Sequence, residues 1–306
     1  MLDCVIIGGG PAGLSAAIHL ARFRRDVLVV DDGTSRAALI PRTYNHPGFP
    51  GGIPGRLLLE RMRRQVRDLG TAIAAEHAER LDPLPGGGFA IRAGAGRLAR
   101  HVILATGITD RLPPITDAKA AILSGRLRLC PVCDAFELTG QPIAVVGSDA
   151  HAASEALFLA HYSPRITLLT LGAPPLWPAG DQAALTGQGI GVEPCADWAL
   201  DMGGPGVTLR REGHPPRQVA ALYSGLGMDA RADLAARLGA GRAEDGRLLT
   251  DPHQETSVPG LFAAGDVAPG LNQIATAMAQ GQIAASRIHA LLRGAPARPG
   301  GDIKGG

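Results

Sequence analysis

Three apolar runs, each closing on glycine, set the skeleton of this chain. "CVIIGGGPAGLSAAIHLARFRRDVLVVDD" opens with an unbroken apolar run and passes through Gly8-Gly9-Gly10-Pro11-Ala12-Gly13. Apolar residues at helical spacing follow, then a second apolar run and Asp31-Asp32. A continuous apolar run of this kind reads as a strand covered on both faces, and the spacing after Pro11 reads as an amphipathic helix. "HVILATGITDRLPP" predicts a further strand ending at Ala105-Thr106-Gly107, with a boundary at Pro113-Pro114 that no helix or central strand crosses easily. "TSVPGLFAAGDVAPGLNQIATAMAQGQIAASRIHALL" predicts a strand, then Gly265-Asp266, then a long amphipathic helix from about Asn272.

The glycines of the first unit have a chemical use. Gly8 permits a tight turn, Gly10 lets a pyrophosphate approach the backbone, and Gly13 lets the helix pack closely on the strand. The helix N-terminus offers N–H groups and partial positive charge to phosphate. Asp31 follows Gly8 by 23 residues (31 − 8), where a carboxylate takes ribose hydroxyls.

The pattern then recurs. A shift of 139 residues (147 − 8) lays "IAVVGSDAHAASEALFLA" over "VIIGGGPAGLSAAIHLA" and "ITLL" over "VLVV". The copies differ where a ligand would lie: Asp149 replaces Gly10, Ala152 replaces Gly13 and Thr170 replaces Asp31. The expected fold class is α/β, with two nucleotide-binding (Rossmann-like) βαβ domains, the second inserted in the first. A polar Gly-rich stretch between Gly239 and Gly246 suits the return crossing.

Length and charge narrow the class. The 306 residues suit about two domains, and a net charge of +2 with interspersed signs gives no footprint for nucleic acid or anionic lipid. The apolar stretch from Cys4 to Leu20 lacks a basic leader and is broken by three glycines, which argues against a signal peptide or a membrane span. A cytoplasmic, reducing setting follows, in which four cysteines are expected to be catalytic, metal-bound or idle rather than structural staples. The tail after Arg293, rich in Gly, Pro and Ala, is expected to be disordered.

GGGPAG at the start, ATG near residue 106, CxxCD at 130–134, the second nucleotide-fold unit and VPGLFAAGD near the end resemble, in order and spacing, the low-molecular-weight thioredoxin reductases. The resemblance runs from Leu2 to about Leu292. It implies a discontinuous FAD domain, 1–114 plus 247–306, and an inserted module, 115–246, carrying the cysteine pair. It also implies that Gly8, Gly10, Pro11, Ala12, Gly13, Asp31, Asn45, Ala105, Gly107, Gly265, Asp266 and Gln273 hold FAD, and that the protein is a homodimer. His46 stands in the Asn45 loop where the family has an aromatic residue; that loop is expected to pass near the flavin, and the titration range of histidine makes His46 a candidate proton relay.

Cys130 and Cys133 are spaced to cycle between dithiol and disulfide, and a helix start lowers a thiol pKa toward neutrality. Half a zinc site and a pair of inert thiols are the alternatives. Zinc wants four ligands, whereas Cys4 and Cys195 stand alone, so no metal site is expected. By resemblance, Cys133 is the flavin-proximal thiol, Cys130 attacks an external disulfide, and Asp134 exchanges the proton of the departing thiol.

The nicotinamide site looks lost. A carboxylate at position 149 sets like charge against a pyrophosphate. Two unit charges about 4 Å apart at an effective dielectric of about 20 repel by about 4 kcal/mol, close to a thousandfold in affinity. The family grips the NADPH 2′-phosphate with a His-Arg-Arg cluster after the second strand; here the place reads "TLGAPPLWPAGD", without arginine from Ile166 to Leu209. The expectation is an NADPH-independent, FAD-dependent dithiol–disulfide oxidoreductase. Its partner is a thioredoxin-like protein or a small dithiol, and its second partner a ferredoxin-like donor or O2. An ordinary NADPH enzyme with a divergent site, a small-dithiol oxidase and a non-turnover flavin redox sensor are the alternatives.

Overall fold

The structure is a computed structural model and describes residues 1–194 and 196–293. Cys195 and the tail after Arg293, with the expectations attached to them, lie outside the described residues. The chain opens with β1 (Leu2–Ile7), α1 (Pro11–Arg22) and β2 (Val27–Val30). It continues through α2 (Gly55–Asp68), β3 (Ala72–Ala74), β4 (Arg80–Pro83), β5 (Phe89–Arg92), β6 (Arg97–Leu104) and β7 (Ile108–Asp110). A second run holds α3 (Ala118–Leu123), β8 (Leu127–Arg128), α4 (Pro131–Asp134), β9 (Ile143–Val146), α5 (Ala150–Ala160), β10 (Ile166–Leu169) and α6 (Ala179–Gly187). After β11 (Gly191–Glu193) come β12 (Ala199–Asp201), β13 (Val207–Arg210), β14 (Arg217–Val219) and β15 (Ala221–Ser224). The last run is β16 (Met228–Ala230), α7 (Asp233–Ala236), β17 (Leu261–Ala263) and α8 (Ile274–Leu291).

The chain divides into two compact units. The first holds Met1–Ala38, Pro54–Thr109 and the chain from Asp229 onward; the second holds Leu39–Ile53 and Asp110–Met228. Sequence placed the return crossing near residue 246, but Ala232, Ala235 and Ala240 pack into the first unit's core with Phe89, Leu104 and Leu248. The return therefore falls near residue 228. Small apolar residues spread through a Gly-rich stretch hide such a commitment to one core.

In the first unit the sheet order is β3-β2-β1-β6-β5-β4, with β17 also paired to β6. β1 lies between β2 and β6, parallel to both, and five of its six residues are buried. This is the two-sided burial that its unbroken apolar run implies. On one helix layer α1 and α8 pack closely: a Cβ on Gly281 would lie 2.2 Å from the Ala12 carbonyl oxygen, and Ser15 Oγ donates to Met278 O at 2.9 Å.

In the second unit the sheet order is β11-β10-β9-β15-β8, parallel throughout. Its strands divide their side chains between two cores. Ile143, Val145, Ala221 and Tyr223 join Ala152 and Ala156 of α5, while Ala144, Val146 and Leu222 join Ile122 of α3 and Val207 of β13. Strands β12–β14 form a separate antiparallel meander. Among the described residues, no helix is long and apolar enough to cross a membrane.

Candidate active site

The two copies of the βαβ unit adopt one turn. Gly8 donates its N–H to Val30 O at 2.8 Å, and Gly147, 139 residues on (147 − 8), donates to Leu169 O at 3.0 Å. Both have positive φ, 112° and 155°. Gly10 and Asp149 share an extended backbone, with φ −84° and −109° and ψ −174° and 179°. The aspartate thus changes the chemistry of the turn while the backbone keeps its course.

In the first unit the sequence-predicted residues converge. A Cβ on Gly8 would lie 2.2 Å from Ala105 O, one on Gly13 would lie 1.9 Å from Gly8 O and 3.2 Å from Ala105 Cβ, and one on Gly265 would lie 2.9 Å from Ala12 Cβ. Gly8, Gly13, Ala12, Ala105 and Gly265 therefore meet around a single turn. Gly10 is different: a Cβ there would meet only Ser35 Oγ, at 3.2 Å. That open side, with Pro11 at the first helical position and no side chain capping α1, is a cradle that fits a dinucleotide pyrophosphate. Asp31 is buried, with Oδ1 accepting the N–H groups of Gly9 (3.1 Å) and Gly33 (3.2 Å) and Oδ2 paired to Arg63 Nη2 at 3.1 Å. Its carboxylate is thereby held against the turn at the end of β2.

Gly107 is fixed from behind, its carbonyl accepting the Arg231 N–H at 3.0 Å while Thr106 Oγ1 donates to Arg231 O at 2.7 Å. Gln273 is the N-cap residue of α8. Gln280, which sequence did not single out, ties the Gly265-Asp266 loop to α8. Its Oε1 accepts the Gly265 N–H at 2.8 Å and its Nε2 donates to Pro269 O at 3.0 Å. A glutamine inside a helical pattern carries no signal of this kind.

The second unit holds the redox pair. Cys130 and Cys133 are joined by a disulfide, S–S 2.04 Å, with Cys130 as N-cap residue of the short α4. Asn45 lies in this unit: its Nδ2 donates to Val132 O, between the two cysteines, at 3.4 Å, and its Oδ1 accepts from Thr43 Oγ1 at 2.9 Å. His46 stacks on Phe49 at 5.6 Å, and burial lowers its pKa, which keeps the ring neutral at pH 7. Asp134 is bound by Tyr223 and Arg128, two residues that sequence did not assign. Tyr223 Oη donates to Oδ1 at 2.6 Å, and Arg128 Nη1 lies 3.4 Å from Oδ2 and donates to the Asp134 carbonyl at 2.7 Å. Burial pushes the Asp134 pKa above the usual carboxylate range, against the lowering influence of Arg128 and Tyr223. Cys4 is fully buried in β1 and burial pushes its thiol far up, so it is an inert core residue. Among the described residues no group of His, Cys, Asp and Glu could hold a metal ion.

The second turn is capped by its own side chain. Asp149 Oδ1 accepts the Ala152 N–H at 3.1 Å and so caps α5. After β10, Leu171 and Gly172 take left-handed conformations (φ 51° and 85°) and turn the chain back. The Leu176 N–H then donates to Ser148 O at 2.6 Å, and Leu176 bridges Asp149. The segment after β10 is thereby tied to the turn before α5.

Two Rossmann-like units, one with an open glycine cradle and one with a Cys130–Cys133 disulfide followed by a buried Asp134, describe the class of a dinucleotide-binding disulfide oxidoreductase. Comparison with known proteins agrees. Residues 2–281 match the family model described as pyridine nucleotide-disulphide oxidoreductase. The thioredoxin reductase of Rickettsia typhi is 35% identical over 169 residues, 54% of each chain, so that match spans about half the relative's length. The thioredoxin reductase of Streptomyces coelicolor is 32% identical over 285 residues, 87% of this chain and 85% of that one. The solved structure of HlmI superposes with a TM-score of 0.87 at 27% identity, covering 96% of this chain and 93% of that one. The chain belongs to the pyridine nucleotide-disulphide oxidoreductase family, as a thioredoxin reductase-like, FAD-dependent oxidoreductase.

Proposed function

We propose that this protein is a dithiol–disulfide oxidoreductase that works without NADPH. The observation that carries the reading is the contrast between the two helix starts: no side chain caps α1, whereas Asp149 fills the same position on α5. The N–H that would meet a phosphate on α5 is taken by a carboxylate of the same sign. The Leu176 contact and the absence of arginine from Ile166 to Leu209 support the same conclusion.

The residues proposed to hold FAD are Gly8, Gly10, Pro11, Ala12, Gly13, Asp31, Asn45, Ala105, Gly107, Gly265, Asp266 and Gln273. Bound FAD supplies a two-electron carrier that exchanges with the Cys130–Cys133 pair. Cys130 is the thiol that meets the external substrate, and Asp134 holds the proton that a departing thiolate takes up, a role suited to a carboxyl whose pKa burial has raised. The substrate is a thioredoxin-like protein or a small dithiol, the second partner a ferredoxin-like carrier or O2, the compartment a reducing one, and the assembly a homodimer.

Anaerobic mixing of the FAD-loaded protein with NADPH and then with dithiothreitol, followed by flavin absorbance, tests the reading. The dithiol bleaches the flavin and NADPH does so far more slowly. Reduction by NADPH at on the order of 100 s⁻¹, within the usual enzymatic range, would return the protein to the ordinary NADPH-dependent enzymes.

A further inference from the structure

β8 and β15 are parallel neighbours whose register sets Arg128 beside Tyr223, so the two side chains leave the same face of the sheet. The short α4 that follows β8 returns Asp134 over that face. Tyr223 is fully buried, its ring packed among Ile143, Val145 and Ala152, and its hydroxyl finds its partner in Asp134 Oδ1 at 2.6 Å. The titratable and charged groups that face Asp134 are Arg128 from β8, the neutral Tyr223 phenol from β15 and Glu137 from the turn after α4; Glu137 adds to the upward push of burial, and the other two oppose it.

Burial first, and the Asp134 charge second, push the Tyr223 phenol far above its ordinary range. Tyr223 therefore keeps its own proton whether Asp134 is charged or neutral, and is a permanent donor to Oδ1. On the other side Arg128 Nη1 lies 3.4 Å from Oδ2, so the carboxyl is held between a neutral donor and a cation.

We propose that Tyr223 is a positioning residue for dithiol–disulfide exchange at Cys130–Cys133, fixing through Oδ1 the Asp134 carboxyl that gives and takes the proton. This rests on the function proposed above. In the direction tested, a dithiothreitol thiolate attacks Cys130 Sγ, the Cys130–Cys133 bond breaks, and Cys133 leaves as a thiolate that takes the Asp134 proton. The second dithiothreitol thiol, once deprotonated, then attacks the dithiothreitol sulfur of the mixed disulfide and expels Cys130 as a thiolate. The two protons that dithiothreitol has released to water return to Cys130 and Asp134. Dithiothreitol leaves as its cyclic disulfide, having lost two electrons and two protons, and the protein is left as the dithiol.

The test uses FAD-loaded wild type and Tyr223→Phe, which keeps the buried ring and removes only the hydroxyl. Each is mixed anaerobically with dithiothreitol across a pH series and quenched in acid. Free Cys130 and Cys133 are then alkylated and counted by mass, with flavin absorbance followed in the same samples. After correction for the dithiothreitol thiolate fraction, the wild-type rate falls as pH rises through the Asp134 pKa, because the protonated carboxyl is the active form. Removing a donor to the ionised carboxyl raises that pKa, so in Tyr223→Phe the fall moves up by about half to one pH unit, while the low-pH plateau drops about three- to tenfold. Asp134→Asn abolishes the pH-dependent fall, and Tyr223→Phe added to it changes nothing further.

A uniform drop with an unshifted profile, or full additivity in the double variant, overturns the assignment. A disulfide that opens normally while the flavin stays oxidised refutes the proposed function instead, and the thiol trace still decides the role of Tyr223.

Discussion

Asp149 grips the Ala152 N–H at 3.1 Å, from the backbone position that Gly10 occupies in the first unit. The same residue caps α5 and, on the proposed reading, repels an anion there. Structural and functional readings of the substitution therefore point in one direction, and the two effects separate in variants.

Asp149→Ala removes the cap and costs about 1 kcal/mol of stability, read from the urea midpoint of the FAD-loaded protein. It does not create tight NADPH binding. The turn loses its repulsion, yet the segment after Leu169 still supplies no arginine and remains tied to Ser148 by the Leu176 N–H. Each missing charge-assisted bond to phosphate is worth about 1.5–3 kcal/mol. Titration of Asp149→Ala with NADPH shows no saturation at micromolar concentration; saturation there would mean that position 149 alone blocks the site.

Gly10→Ala separates cofactor binding from folding. The new methyl meets only Ser35 Oγ, at 3.2 Å, and the backbone φ of −84° suits alanine. The apo protein therefore keeps its fold by circular dichroism. The methyl stands in the cradle where a pyrophosphate would approach, so the variant purifies with less FAD and exchanges it faster. Unchanged FAD content would place the pyrophosphate elsewhere.

How far the sequence reached depends on the range of the interaction. The turn around Gly8, the helix start at Pro11 and the repeat at Gly147 are local, and each shows as an apolar run meeting glycine. The Tyr223–Asp134 bond spans 89 residues, and Tyr223 sits in the buried strand ALYS, where the pattern signals only core. Whether its hydroxyl finds a donor or an acceptor depends on the register of β15 against β8, which no local pattern states. The Leu176 contact was hidden for a similar reason. Pro174-Pro175 marks a loop, but the left-handed turn at Leu171 and Gly172 that directs it back to Ser148 has no propensity signature at leucine.

Cys4 and the redox pair differ in reactivity by burial and bonding. After reduction by dithiothreitol, iodoacetamide labels Cys130 and Cys133 in the native protein and leaves Cys4 unmodified, because its thiol is fully buried and its pKa is pushed far up. Peptide mass mapping reads the result. Labelling of Cys4 at a rate like that of Cys130 would show that β1 opens without global unfolding.

Gln280 offers the sharpest test of how α8 serves the cofactor site. Its amide accepts from Gly265 N–H at 2.8 Å and donates to Pro269 O at 3.0 Å, pinning a loop whose Gly265 has a φ of 81°. Gln280→Leu keeps the bulk and leaves both backbone groups without this partner, a cost of about 1–3 kcal/mol for each one that stays dry. The urea midpoint falls accordingly, and the variant releases FAD faster than wild type. Added FAD binds the folded state alone, so it recovers part of the lost stability, in proportion to the logarithm of its concentration over its dissociation constant. If the midpoint falls while the FAD dissociation rate matches wild type, Gln280 supports the fold and not the cofactor. If neither changes, the Gly265 loop is held by other contacts.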